Sequence, residues 1–447
     1  MNNSRGAGRV VIFVIIAVAA IGLCVLAWFA MQPGPLAFAA GKAVTLEAYP
    51  GHPTGVPADF SATDAIARGR YLTDAADCVA CHTAEGGREF AGGRAFKTAF
   101  GTLYSPNITP DAQTGIGAWS DADFLRAMHQ GVDREGSRLY PAFPYAAYTY
   151  LTDEDVLAIK TYLLTLAPVR NTPPDNTLAF PFNQRWLMSV WSWLFNPNER
   201  FRPAADRSPE WNRGAYLVEG LGHCGDCHTP RNVLQALDNG RKFSGAIADG
   251  WRAYNITTDP AAGIGGWSET ELAEYLSTGH AAGRGTASGP MAEAVELSLS
   301  RLTPTDIRAL AVYLRSVPPI STPDLPPPNE SPASPEPKQI RTASADTLGL
   351  HVFEGVCASC HSWTGVSLLA PAATLTGARA VNDPSAMNVA QVVLRGSQWH
   401  AGDHALLMPA FGAAYSDREI AAVANYVTAR FGAQPSAITA ERVRELR

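Results

Sequence analysis

Six of the seven cysteines form three pairs with the same spacing, and a histidine directly follows each pair. The segments read Cys78-Val79-Ala80-Cys81-His82, Cys224-Gly225-Asp226-Cys227-His228 and Cys357-Ala358-Ser359-Cys360-His361. Two thiols two residues apart share one side of a helical turn, where they reach both vinyl groups of a haem while the adjacent imidazole reaches the iron. We therefore predict three covalently bound haems c, with His82, His228 and His361 as iron ligands.

Three other uses of paired cysteines fit this pattern less well. Structural zinc takes four ligands, commonly from two nearby C-x-x-C pairs, whereas these pairs are more than a hundred residues apart. A redox dithiol is expected beside a βαβ pattern, which the sequence does not show. Disulfides suit an oxidising compartment but leave the three histidines unexplained. We assign no function to the seventh cysteine, Cys24.

A sixth iron ligand decides whether each haem suits electron transfer, for which methionine is typical, or ligand binding, which needs an open position. In the third unit Met408 precedes the last helix in Met408-Pro409-Ala410-Phe411, with His400 and His404 as alternatives. In the second unit Met291 follows Gly289-Pro290, with His280 as the alternative. We predict Met408 and Met291 as the distal ligands of these two haems.

The first unit lacks a methionine at the corresponding place. Its loop reads Tyr140-Pro141-Ala142-Phe143-Pro144-Tyr145, and the side chain of Phe143 cannot bind iron. His129 and Met128 lie just before, at the end of a predicted helix, so we predict His129 as the distal ligand and keep Met128 or an open iron as alternatives. A histidine in place of methionine should lower the potential of this haem relative to the other two.

Repeated segments around the motifs predict three similar helical units. Leader segments with matching sequence, Arg68-Gly69-Arg70-Tyr71-Leu72 and Arg213-Gly214-Ala215-Tyr216-Leu217, precede the first two motifs. Ser120 and Ser268 each open a capping box, and the helices that they begin should close at Gly131 and Gly279. Terminal helices begin after Thr152, Thr303 and Ser416. The predicted fold is all-α, with three tandem domains at 46–175, 206–318 and 341–435.

The remaining segments connect these domains or lie at the ends. Val10–Met31 is an uncharged run of 22 residues after Arg5 and Arg9, which predicts a transmembrane helix within residues 1–45 and the bulk of the chain in the periplasm. A cleaved signal peptide is the alternative. Residues 176–205 form an aromatic connection, interpreted as either a membrane-interface helix or an inter-domain plug. Residues 319–340 form a proline-rich linker that should let the third domain sit apart, and 436–447 form a tail.

Composition excludes other broad classes. The chain has 447 residues with 46% hydrophobic residues, too apolar for overall disorder. A net charge of −6 provides no basic surface for nucleic acid.

These ordered motifs resemble the triheme cytochrome c subunit of bacterial membrane-bound dehydrogenases that act on alcohols, aldehydes, gluconate or heteroaromatic compounds. The resemblance implies three cytochrome c domains, no substrate chemistry in this chain, and electron transfer from a catalytic partner to ubiquinone. The uncharged run Val10–Met31 separately predicts a single-pass location in the inner membrane. Phe143 departs from the YPAMPY stretch of the alcohol and sugar branches. It favours the branch paired with molybdenum-containing aldehyde dehydrogenases or related hydroxylases, in which a molybdopterin subunit joins an iron–sulfur subunit.

Other functions remain open from the sequence. The partner can instead carry PQQ or flavin. A multihaem peroxidase would use an open iron in the first unit, and a terminal-oxidase cytochrome subunit is a weaker interpretation because no copper-ligand cluster accompanies the motifs.

Overall fold

Helices dominate a computed structural model that describes residues 41–61, 64–336, 347–401 and 404–447, together with scattered positions between 13 and 36. The α-helices in these ranges are α1 Ala65–Ala75, α2 Cys78–Cys81, α3 Asp121–Gln130, α4 Tyr145–Tyr148, α5 Asp153–Leu163, α6 Leu187–Phe195, α7 Pro209–Tyr216, α8 Gly225–His228, α9 Glu269–Thr278, α10 Pro290–Leu297, α11 Pro304–Leu314, α12 Leu348–Val352, α13 Ala358–His361, α14 Met387–Arg395, α15 Asp417–Phe431 and α16 Ala440–Leu446. Single π-helical turns, Leu217–Leu221 and Phe353–Cys357, extend α7 and α12 towards their motifs.

Short antiparallel hairpins interrupt the helices, so the prediction of an all-α fold is wrong. The paired strands are β1 Ala95–Thr98 with β2 Gly101–Tyr104, β3 Ala246–Ala248 with β4 Trp251–Ala253, β5 His280–Ala281 with β6 Gly285–Thr286, and β7 Ser397–Ala401 with β8 His404–Met408. Strands of two to five residues are too short to show the alternation of apolar and polar residues by which a strand is recognised in a sequence.

The predicted transmembrane helix and the predicted single-pass location in the inner membrane also require correction. Among the described residues, none of the helices combines the length and apolar character needed to cross a bilayer. Most of Val10–Met31, on which that prediction rested, lies outside the described residues.

Each unit is built on a close crossing between the helix before its motif and the terminal helix of the unit. The pairs are α1 with α5, α7 with α11 and α12 with α15. A glycine lies at each crossing: a Cβ on Gly69 or Gly214 would lie 2.0 Å from the carbonyl oxygen of Ala158 or Ala309, and one on Gly349 would lie 2.3 Å from that of Ala422. Only glycine permits this approach. The looser third copy of the leader therefore keeps the residue that the packing requires.

The predicted helix ends are confirmed. Ser120 and Ser268 form capping boxes with Asp123 and Glu271, and Ser416 forms a third box with Glu419. Gly131 and Gly279 close α3 and α9 in the left-handed conformation.

Substituting Gly349→Ala is expected to destabilise the third domain by about 1–3 kcal/mol, because the added methyl group overpacks the crossing with Ala422. Gly355→Ala is the matched control, since a Cβ there meets no atom within 4 Å. Urea unfolding of both variants measures the difference. Equal midpoints for the two variants would contradict the close crossing.

The first two domains share one hydrophobic core. It includes Leu72, Leu151 and Ile159 from the first domain and Leu217 and Leu310 from the second. Continuous burial across both domains indicates that they form a single packed unit.

Reciprocal hydrogen bonds join these two domains with approximate two-fold symmetry. The hydroxyl of Tyr71, in the leader of the first domain, donates to Asp306 Oδ2 of the second at 2.6 Å. The hydroxyl of Tyr216, in the leader of the second, donates to Asp155 Oδ2 of the first, also at 2.6 Å. Arg213 completes the first of these clusters by an ion pair with Asp306, in which both side chains are buried.

The third domain has its own core but does not sit apart. Its core includes Phe353, Val423 and Phe431. Trp399, only 2% exposed, inserts from β7 into the second domain, where its indole Nε1 donates to the carbonyl of Ala287 at 3.2 Å. The prediction of a third domain held away by the proline-rich linker is therefore wrong.

The aromatic connection contains helix α6 and divides its tryptophans between two environments. Trp191 donates from Nε1 to the carbonyl of Leu234 and packs edge-on against Tyr145, so it links the connection to both flanking domains. Trp186 and Trp193 are 63% and 72% exposed. This segment is thus an inter-domain plug on one side and an exposed aromatic surface on the other.

Candidate haem-binding sites

Each C-x-x-C-H motif occupies a single helical turn directly after the leader helix. Cys78 and Cys81 are the first and last residues of α2, while Cys224 and Cys357 are the N-cap residues of α8 and α13. One turn brings the two thiols of each pair to the same side, as attachment to two vinyl groups requires.

The three motif histidines make the same hydrogen bond. The Nδ1 atoms donate to backbone carbonyls: His82 to Pro106 at 2.8 Å, His228 to Tyr254 at 2.6 Å and His361 to Ala373 at 2.6 Å. A bond at Nδ1 fixes the ring orientation and the tautomer, and it leaves the lone pair of Nε2 for a metal. All three sites are thus arranged to present Nε2.

Burial keeps these imidazoles in the form that binds iron. It lowers the pKa of His82, His228 and His361 below the usual histidine range, although the hydrogen bond to the backbone carbonyl opposes the shift in each case. At neutral pH the rings are therefore uncharged, with Nε2 available to a metal.

The cysteine environment argues against redox-dithiol chemistry. Burial raises the pKa of Cys81 and Cys224 to about 12, and that of Cys227 and Cys357 to about 11. Reactive dithiols have lowered pKa values, because the thiolate is the nucleophile. In the part of the chain that the structure describes, no three histidine, cysteine or acidic side chains converge as a metal cluster.

Met408 and the third motif share one apolar cavity. Met408 ends β8, and its side chain lines this cavity together with Cys357, Val352, Phe411 and Ile420. Because Cys357 and Met408 line the same cavity, a haem attached at Cys357 would have the thioether of Met408 beside it. The alternative His400 has a side chain that is 65% exposed, with Nδ1 3.7 Å from Glu296; the side chain of His404 lies outside the described residues.

Met291 lies at the meeting point of all three domains. It is in the first turn of α10, packs on the core shared by the first two domains, as Cys224 does, and also contacts the cluster around Trp399. The competing His280 is engaged through Nδ1 with the hydroxyl of Thr286 at 2.9 Å.

His129 presents an unpaired nitrogen in the first domain. The residue is 2% exposed, its Nδ1 lies 3.7 Å from Asp153 Oδ1, and its Nε2 is buried with no hydrogen-bond partner. Burial and the nearby Arg200 lower the pKa of His129 to about 4. A buried, neutral imidazole with a free lone pair suits a metal ligand, because burying an unsatisfied polar atom otherwise costs free energy.

The alternatives near His129 pack into the core. Met128 is buried in the shared core that also contains Val79 of the first motif, and Phe143 packs on the same core with its ring 5.5 Å from that of Tyr148. The structure thus places both Met128 and Phe143 among apolar side chains of this core.

The first two motifs lie near each other across the domain boundary. Cys227 lies close enough to Cys81 to contribute to the raised pKa of that thiol. Helix α10, which carries Met291, packs against α2. Arg94 Nη2 donates to Glu293 Oε2 of α10 at 2.8 Å, while Arg94 Nη1 donates to the carbonyl of Ala80 within the first motif. The first and second sites are therefore neighbours.

Sequence reasoning missed the carbonyls that hold the motif histidines. Pro106 and Tyr254 immediately precede Asn107-Ile108-Thr109 and Asn255-Ile256-Thr257, which repeat at equivalent places in the first two domains. That repetition could have identified the two carbonyls from the sequence. Ala373 lies in a short 3₁₀ turn, Pro371–Ala373, which has no counterpart in the other two domains to mark it.

Comparisons with known proteins agree with this geometry. The cytochrome c family model matches residues 66–167, and the model of cytochrome c oxidase cbb3-type subunit III matches residues 344–427. The chain is 40% identical over 417 residues to a nicotinate dehydrogenase subunit of Pseudomonas putida. It is 38% identical over 402 residues to the fructose dehydrogenase cytochrome subunit of Gluconobacter japonicus, and 38% identical over 410 residues to the gluconate 2-dehydrogenase cytochrome c subunit of Pantoea cypripedii.

Coverage differs among these relatives. The alignments span 92%, 86% and 87% of this chain. They span 34% of the Pseudomonas relative, a much longer protein, but 82% and 91% of the other two. Cytochrome c domains imply covalently bound haem c, and the relatives named as cytochrome subunits match along most of their own length. The chain belongs to the family of cytochrome c subunits of bacterial dehydrogenase complexes, and its role is electron transfer.

Proposed function

We propose that this chain relays electrons through three covalently bound haems c from a catalytic dehydrogenase subunit to ubiquinone. The observation that carries the proposal is the threefold repetition of one arrangement. A C-x-x-C-H turn follows a leader helix, and the histidine Nδ1 is bound by a backbone carbonyl so that Nε2 is left for iron.

The proposal assigns a role to each residue around the three sites. The attachment residues are Cys78, Cys81, Cys224, Cys227, Cys357 and Cys360, and the proximal ligands are His82, His228 and His361. Met291, Met408 and His129 are the distal ligands. Each haem, when bound, supplies reversible one-electron transfer between ferric and ferrous iron.

Contacts between the domains support an order of electron transfer among the three sites. Packing of α10 on α2 and the Arg94–Glu293 ion pair hold the first two sites together. Trp399, on the hairpin that ends in Met408, docks against the cluster that contacts Met291. The second domain therefore contacts both of the others, which supports a relay in which electrons would pass through its haem.

The catalytic partner we propose is a molybdenum-containing aldehyde dehydrogenase or related hydroxylase, with molybdopterin and iron–sulfur subunits. Phe143 supports this branch, as does the 40% identity to a relative named as a nicotinate dehydrogenase subunit. A PQQ or flavin partner is the alternative, supported by the gluconate and fructose dehydrogenase relatives. For the acceptor, exposed Trp193 on α6 and Trp186 at its N-cap offer an apolar aromatic surface on which a quinone ring can pack.

Purification of the native complex tests both the proposed catalytic partner and the proposed quinone acceptor. Identifying the cofactor of the co-purified subunit decides among molybdopterin, PQQ and flavin. In stopped-flow mixing, substrate should reduce the haems only in the presence of that subunit, and a soluble ubiquinone analogue should reoxidise them. Peroxide turnover by the isolated chain, or haem reduction without a partner, would contradict the relay.

A further inference from the structure

The third domain is docked on the second through a buried carboxylate. Asp383, fully buried, accepts from Arg252 Nη1 and from the hydroxyl of Tyr254, each at 3.2 Å. Asn388 adds a pair of bonds to the backbone of Arg252, at 2.8 and 2.9 Å. The contact is therefore centred on β4 and the residue that follows it.

Tyr254 joins this contact to the second haem site. Its backbone carbonyl accepts from Nδ1 of His228 at 2.6 Å, while its side-chain hydroxyl donates to Asp383 of the third domain. One residue thus holds the proximal histidine of one domain and is itself held by the neighbouring domain.

Thr286 makes the reverse connection. Its hydroxyl, in β6 of the second domain, donates to the carbonyl of Ala372 at 2.8 Å. The next carbonyl along the chain, that of Ala373, accepts from Nδ1 of His361 at 2.6 Å. The turn that orients the proximal histidine of the third domain is therefore held from the second domain.

At the first site, the described bonds next to the acceptor carbonyl stay within the first domain. Pro106, the acceptor for His82, follows Ser105, whose backbone carbonyl and hydroxyl bind Gly93 and Arg94 of the same domain. This site therefore provides an internal reference for the other two.

A hydrogen bond at Nδ1 makes the imidazole a stronger electron donor and so stabilises ferric over ferrous iron. We propose that docking of the third domain sets the reduction potentials of the second and third haems, with Tyr254 and Thr286 as the positioning residues, and leaves the first haem unaffected. This inference rests on the proposed haem ligation. It adds that two of the three potentials depend on how neighbouring domains are packed.

The test is spectroelectrochemical titration of the isolated, haem-loaded chain and its Tyr254→Phe and Thr286→Val variants. Each substitution removes one hydroxyl and keeps the shape of the side chain close to the original. Tyr254→Phe should raise the ratio of reduced to oxidised second haem about threefold at fixed potential, equal to about 28 mV at 59 mV per tenfold change. Thr286→Val should do the same for the third haem, and the first haem should not shift in either variant.

Gln391→Ala is the matched control. Its amide Nε2 donates to the carbonyl of Gly250 at 3.0 Å across the same domain contact, away from both histidine-bound carbonyls. Unchanged potentials in Gln391→Ala support the inference, whereas a shift equal to that of Tyr254→Phe would overturn it in favour of general loosening. Unshifted potentials in both Tyr254→Phe and Thr286→Val would also overturn it.

Two further measurements separate this test from that of the proposed function. Haem content and thermal unfolding of each variant identify one that fails to fold, in which case the other variant decides the inference. Absence of haem from the wild-type chain would contradict the proposed function itself. Titration requires no partner or quinone, so the inference can fail while the relay stands.

Discussion

Substituting Asp306→Ala should lower the free energy of unfolding of the first two domains by about 3–5 kcal/mol, the cost of breaking a buried ion pair by removing one partner. Asp306 is fully buried and accepts from Arg213 Nε at 2.8 Å and Nη2 at 2.6 Å, as well as from the hydroxyl of Tyr71. Its removal leaves a buried guanidinium and a buried hydroxyl at the boundary between the domains. Urea unfolding followed by circular dichroism measures the loss.

Glu210→Ala is the control for this experiment. Glu210 pairs with Arg308, whose side chain is 61% exposed, and the pair joins the same two helices as Arg213 and Asp306. An exposed pair contributes at most about 1 kcal/mol. If Asp306→Ala costs no more than Glu210→Ala, the buried cluster of Tyr71, Arg213 and Asp306 does not stabilise the boundary between the two domains.

Substituting Met408→Leu should convert one haem from low-spin to high-spin and lower its potential. Leucine has a similar volume and preserves the apolar cavity with Cys357 and Phe411, but it has no lone pair for iron. Methionine ligation raises the potential of a haem with a proximal histidine, so its loss acts in the opposite direction. Electron paramagnetic resonance of the oxidised chain should show about one third of the low-spin signal replaced by a high-spin signal.

His400→Ala discriminates between the candidate ligands of the third haem. Because the side chain of His400 is largely exposed and lies near Glu296, this variant should keep all haems low-spin. A high-spin signal in His400→Ala, together with an unchanged spectrum in Met408→Leu, would reverse the assignment.

Local features of the fold were predictable from the sequence because their causes lie within a few residues. The capping box at Ser120 and the closing glycine at Gly131 are separated from their partners by three or four positions, and both are found as predicted. The haem-attachment turns belong to the same class, since all their chemistry lies within five residues.

Contacts between domains were not predictable, because the residues that make them are far apart in the sequence and form no local pattern. Tyr254 and Asp383 are 129 positions apart, and Tyr71 and Asp306 are 235 apart. Trp399 lies in a strand whose neighbours alternate between buried and exposed, yet it is buried by the second domain and not by its own. Proline content predicted a separating linker, but linker composition says nothing about the complementarity of the surfaces that it joins; Leu325 within the linker is itself buried.

The distal ligand of the first site shows a similar division. The sequence before Gly131 predicted His129 as this ligand, with Met128 or an open iron as alternatives, but it did not show how either side chain is buried. Burial supports the proposal of His129: its Nε2 is buried and unpaired, while Met128 is packed among core side chains. Asp153, which lies beside the ring, is 24 positions away along the chain.

The most direct test of the central claim is the intact mass of the purified chain, measured under denaturing conditions alongside its Soret absorbance. Covalent attachment at three motifs predicts a mass greater than that of the polypeptide by three haem groups. Replacing both cysteines of any one motif by serine should reduce the gain to two. A chain with a Soret band but fewer than three covalent additions, or with no mass gain, would contradict the account.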